Sequence, residues 1–182
     1  MNLTIPLVCV LAPCLLAPCE AAGQRAFANL IGTDGQAMGR ARLTSISHGV
    51  LIEIEMHGLS PGAHGVSVHA TGACDAAGGF ASAGPIASFD SMRAHGFLAK
   101  GGPRTGDLPN QYAAADGTLH AATVTTAFTI GGGVRSILDK DGAAIVVTAG
   151  ADDYVSQPEG KAGARVACGV IKRADDTRKP HG

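Results

Sequence analysis

The chain has 182 residues, 46% of them hydrophobic and 16% charged, and a formal net charge of −1. That length buries one sound core and is short for two. Its basic residues are spread along the sequence without forming the dense basic face that nucleic acid requires, which excludes nucleic acid as a partner. Twenty-six glycines, nine prolines and no tryptophan favour many turns and short elements, a balance typical of β-structure.

The N-terminal run "LTIPLVCVLAPCLLAP" is apolar, carries no charge and ends near the small residues of "CEAAG". This is the layout of a secretory signal peptide, not of a spanning helix. Residues 1–23 are therefore read as a leader, 24–172 as one β-domain and 173–182, "RADDTRKPHG", as a charged tail. Export to a periplasm is expected, and "LAPC", which occurs twice, leaves lipid anchoring as the lesser alternative. Cys9, Cys14 and Cys19 fall in the leader, so Cys74 and Cys168 remain as an even pair in an exported domain. They are read as a disulfide, with two free thiols as the alternative.

Beyond the leader the periodicity is that of strands. "AFANLIGTDG" and "QAMGRARLTSIS" come first, followed by "VLIEIEMHG", which sets Val50, Ile52, Ile54 and Met56 on one face against Leu51, Glu53, Glu55 and His57 on the other. "GVSVHATG", "TLHAATVTTAFTI", "AAIVVTAG" and "ARVACGVI" follow, separated by turn signals such as "TDGQ", "SHG", "LSPGAHG" and "KDG". About seven or eight antiparallel strands in a sandwich or flattened barrel are predicted. Between Thr71 and about Gly117 alternation stops for far longer than an ordinary connection, and loops of that length are functional or disordered. Cys74, the "HG" near His95 and "GDLPN" are the candidate pins. A second irregular stretch runs from Gly150 to Arg165.

"GLSPGAHGVSVHATGAC", "ASAGP", "AHG", "GDLPN", "ADDY" and "GKAGARVACGVI", in this order and at these separations, resemble the copper–zinc superoxide dismutases, above all their exported bacterial branch. The resemblance implies a Greek-key flattened barrel with two long loops, and copper and zinc as cofactors. In that family four histidines hold copper; one is shared with zinc, which takes two more histidines and an aspartate. Imidazole suits both metals.

Position by position, the ligand set is broken. Ser67 and His69 stand at the first two copper positions, Ile86 at the bridging histidine and Thr148 at the last copper ligand, so His69 alone is retained. For zinc, His95 and Asp107 match ligands, while Arg104 replaces a histidine. Asp152 matches the carboxylate that orients histidines of both metals, and Arg165 matches the arginine that guides superoxide; Arg165 reads equally well as a structural donor to loop carbonyls. Cys74 and Cys168 match the family disulfide. His48, His57, His64 and His120 match no ligand.

This pattern predicts an exported dismutase-like protein that is inactive or strongly impaired, without tight stoichiometric metal, acting as a binding or structural module. Its partner is an unidentified protein or small ligand, and a homodimer is also open. Two alternatives remain: an active dismutase with a rearranged copper site, or a non-redox metal carrier using His69, His95 and Asp107. Without zinc, Asp107 and Asp152 need a cation. Arg104 is expected to fork onto Asp107, with Asp152 as a second acceptor, while Ile86 fills the bridging position with apolar bulk.

Overall fold

The computed structural model describes residues 23–174. The leader up to residue 22 and the tail beyond Ala174 lie outside the described residues. The strands are β1 (Arg25–Gly32), β2 (Ala37–Ile46), β3 (Gly49–Met56), β4 (Gly62–His64), β5 (Val66–His69), β6 (Gln111–Ala113), β7 (Leu119–Thr125), β8 (Ala144–Thr148), β9 (Arg165–Val170) and β10 (Lys172–Arg173). Helix is confined, among the described residues, to short 3-10 turns such as Ala81–Ala83, and no helix there is long and apolar enough to cross a membrane.

Alternation along the strands decides what faces inward. Val50, Ile52, Ile54 and Met56 of β3 are all buried, as are Ala26, Ala28 and Leu30 of β1, and with Ile145 and Val147 of β8 they fill one core. The main sheet is antiparallel, in the order β5-β8-β9-β1-β2-β3-β7, with β10 also pairing with β1. It curls into a half-barrel around that core. β4 and β5 are two parts of one extended stretch interrupted at Gly65. β4 pairs with β6, β5 pairs with β8, and β6 lies against β7, so the small sheet spans the gap between the two edges of the large one.

Strand β8 is buried on both faces, which explains its unbroken apolar run. Its inner side belongs to the main core. On its outer side Ala144 and Val146 meet Phe80, Ala83 and Cys168 in a second cluster, formed where the first part of the long loop folds back over the sheet. The disulfide between Cys74 and Cys168 ties loop to strand there, with Cα atoms 5.7 Å apart. A cross-link closing a loop of this length contributes roughly 2–4 kcal/mol, chiefly by restricting the unfolded chain.

Three short elements depart from the expected pattern. Gly62–His64 lies in a segment read as a turn, and Gln111–Ala113 in the loop read as strandless; each is only three residues long, too short to show a period. Arg173 lies in β10, one residue into the segment read as tail, and its guanidinium donates to the carbonyl of Ile130 at 2.9 Å.

Candidate functional site

Ser67 and His69 lie two residues apart on β5 and so share a face. His69 is 1% exposed, with Nδ1 2.8 Å from the carbonyl oxygen of Gly84 and Nε2 3.0 Å from the Ser67 hydroxyl. Burial pushes His69 down to about 4, against the Gly84 bond, which favours the charged form; nearby Arg165 pushes it further down. The neutral ring has one N–H, and it donates to Gly84, which leaves Nε2 to accept from the serine hydroxyl. Both nitrogens are thus engaged within the protein.

The other two positions are equally settled. Ile86 is buried and its backbone bridges to that of His69. Thr148 ends β8, and its hydroxyl lies 3.2 Å from the carbonyl of Gly65 and 3.0 Å from that of Gly150. His64, to which the sequence assigned no chemistry, is 1% exposed and bridges elements: Nδ1 is 2.7 Å from the Thr148 carbonyl and Nε2 2.8 Å from that of Ser60.

Arg165 opens β9 beside Thr148. Its guanidinium donates to the loop carbonyls of Phe80 and Gly84 at 2.9 and 3.0 Å, contacts of the kind that one of its two sequence readings describes. The sequence reading missed its second partner. Glu159 receives the fork, with Nη2 2.5 Å from Oε1 and Nε 3.4 Å from Oε2. The positive charge is therefore matched at contact distance. Glu159 lies six residues upstream of Arg165, in the irregular stretch "QPEGKAGAR", where no strand or helix period signals the pairing.

The zinc-type residues form a tighter cluster. His95 is 1% exposed; Nδ1 lies 2.7 Å from Oδ1 of Asp107 and Nε2 lies 3.1 Å from Oδ1 of Asp152. With a carboxylate against each nitrogen, the arrangement that satisfies both contacts is an imidazolium donating twice. Asp107 also accepts the backbone N–H groups of Gly96 and Arg104, at 2.8 and 2.9 Å. Asp152 accepts the N–H of Tyr154 at 2.6 Å. Gly160 closes over this cluster at φ 68°, and a Cβ there would sit 1.8 Å from Asp152 Oδ1, so only glycine fits.

The loops that carry these residues are stitched together by amides the sequence reading did not single out. Asn110, within "GDLPN", exchanges two bonds of 2.9 Å with the backbone of Asp152, and Gln157 exchanges bonds of 2.9 and 2.8 Å with the backbone of His95.

The expected pairing of Arg104 with Asp107 does not occur. Arg104 contributes its backbone N–H to Asp107, while its side-chain Nε donates to the carbonyl of Arg93 at 3.2 Å. His95 supplies the buried cation instead. It does so for both carboxylates at once, which a donor committed to one of them would not.

An antiparallel Greek-key barrel with two long loops, one locked by a disulfide and both converging on a histidine held between aspartates, defines a scaffold of the metalloprotein type. Residues 37–171 match the family model described as copper/zinc superoxide dismutase, and the chain belongs to that family. It is 43% identical over 141 residues to a Cu-Zn superoxide dismutase of Caulobacter vibrioides, covering 76% of this chain and 80% of that one. It is 32% identical over 145 residues to the superoxide dismutase-like protein YojM of Bacillus subtilis, covering 78% and 73%. The crystal structure of a SOD-like protein from Bacillus subtilis superposes with a TM-score of 0.75 at 33% identity, over 79% of this chain and 96% of that one.

The residues present do not fit the two metals that the family implies. Structural zinc takes four protein ligands and catalytic zinc three, whereas of the family's zinc positions only His95 and Asp107 carry such side chains, with Ile86 and Arg104 at the other two. At the copper position only one imidazole remains, and isoleucine, serine and threonine surround it. Among the described residues, no group of three or more His, Cys, Asp or Glu side chains is arranged to hold a metal ion.

Two outcomes follow. His95→Gln is expected to destabilise the fold by roughly 3–5 kcal/mol, because it strands two carboxylates, whereas Arg104→Ala, with no ion pair to lose, costs less than about 1 kcal/mol; chemical denaturation of the two variants checks the contrast. For His69 the folded value, about 4, lies below the ordinary 6.5. The unfolded chain takes up the proton between these values, so this contribution is complete above pH 6.5 and lost as pH falls toward 4. Over that window the wild type should lose on the order of 3 kcal/mol more unfolding free energy than His69→Gln.

Proposed function

We propose that this chain is an exported, periplasmic, non-catalytic member of the dismutase family that acts as a binding or structural module. The observation that carries the reading is the state of His69. The single imidazole left at the copper position has its two nitrogens taken up by Gly84 and Ser67, and redox cycling of copper needs several imidazoles in a defined geometry. The pairing of Arg165 with Glu159 supports the same reading, since an arginine whose charge is matched at contact distance steers anions weakly. Export is supported by the apolar N-terminal run of the sequence and by the Cys74–Cys168 disulfide, a bond that persists in oxidising compartments.

Superoxide dismutation by the purified protein is the test, measured metal-free and after loading with copper, zinc or both. Rates at the level of buffer are expected in every case. Ser67→His adds one imidazole and leaves Ile86 and Thr148 unchanged, so it should not restore turnover. Copper-dependent turnover by the wild-type protein would overturn the reading and favour a rearranged, active site.

A further inference from the structure

Arg104 turns away from Asp107 into a cleft whose lining includes none of His69, His95, Asp107 and Asp152. The cleft has a volume of about 310 Å³ and is lined by three arginines, Arg93, Arg104 and Arg135, together with Asp90, Phe89 and Pro103. Two of the arginines come from the long loop and the third from the segment after β7. Like charges gathered in one depression repel one another, and the cost is relieved by counter-charge. Among the described residues, none of the three forms an ion pair, Asp90 included.

Their side chains are held, but not saturated. Arg93 donates Nη1 to Gly102, Arg104 donates Nε to Arg93, and Arg135 donates Nη2 to the carbonyls of Thr126 and Ala127. These bonds to backbone oxygens fix the planes of the guanidinium groups and use few of the five N–H groups that each carries. Asp90 is tied to the backbone of Met92 at 2.9 Å, so it is not turned onto an arginine. Three guanidinium charges against one carboxylate leave a formal excess of two positive charges. Phe89, 47% exposed, and Pro103 give the cleft an apolar wall.

We propose that this cleft binds a small organic phosphate monoester: the dianion meets the arginines, whose planar forks match phosphate geometry, and the organic group lies on Phe89. This supplies a small-ligand partner of the kind that the non-catalytic reading calls for. It does not depend on that reading, because the cleft lies apart from the copper position and a binding measurement is indifferent to dismutation.

Titration calorimetry of the full protein with phenyl phosphate tests the assignment, with inorganic phosphate and phenol as separate arms and the Arg93→Gln, Arg104→Gln and Arg135→Gln variants alongside. Phenyl phosphate is expected to saturate one site, more tightly than either arm and more weakly as salt rises, and each variant should lose about tenfold or more in affinity. Arg104 makes one side-chain bond to backbone, so its variant should keep the wild-type Tm and report on binding alone. Absence of saturable binding would overturn the proposal, as would phosphate binding as tightly as phenyl phosphate, or an affinity unchanged by Arg104→Gln.

Discussion

Two carboxylates enclosed by the loops of a small β-barrel must be matched by positive charge, since an unpaired ion out of water costs several kcal/mol. In this chain the match is one side chain. His95 stands between Asp107 and Asp152, and each loop that lacks regular structure brings one carboxylate to it. The remaining contacts of the cluster gather around that bridge: backbone N–H groups of Gly96, Arg104 and Tyr154 complete the carboxylates, while Asn110 and Gln157 bind the two loops to each other. The loops are thus ordered by hydrogen bonds that end inside the protein.

The copper position follows the same logic by neutral means. Ser67 sets a hydroxyl on the same face of β5 as His69, close enough to donate to the nitrogen that burial keeps unprotonated. Thr148 turns its hydroxyl to carbonyls and Ile86 adds apolar bulk. Each replacement satisfies itself locally, so the barrel keeps its shape without a shared centre to hold it. The disulfide and the outer cluster around Phe80 secure the first part of the long loop against β8 and β9.

Much of this was legible in the sequence. Strand faces came from alternation in "VLIEIEMHG", and the order of short motifs singled out Ser67, His69, Ile86, His95, Asp107, Thr148, Asp152 and Arg165 as the positions to inspect. What failed was the identity of the buried cation. Charge counting pointed to Arg104 because it lies three residues from Asp107, but spacing in a loop does not fix where a side chain points. An inventory of donors would have served better, since a protonated imidazole offers two N–H groups and there were two carboxylates to satisfy. Spacing in a strand is more informative: the two-residue separation of Ser67 and His69 dictates a shared face, and their hydrogen bond could have been foreseen from it.

The central proposal is that hydrogen bonds inside the protein, with no bound metal, order the two long loops, and the thermal unfolding midpoint of the wild-type protein tests it most directly. Exhaustive chelation followed by addition of stoichiometric zinc is predicted to leave Tm unchanged at both steps, since anything that binds the native state tightly would raise it. A Tm that falls on chelation and is restored by zinc would contradict the account.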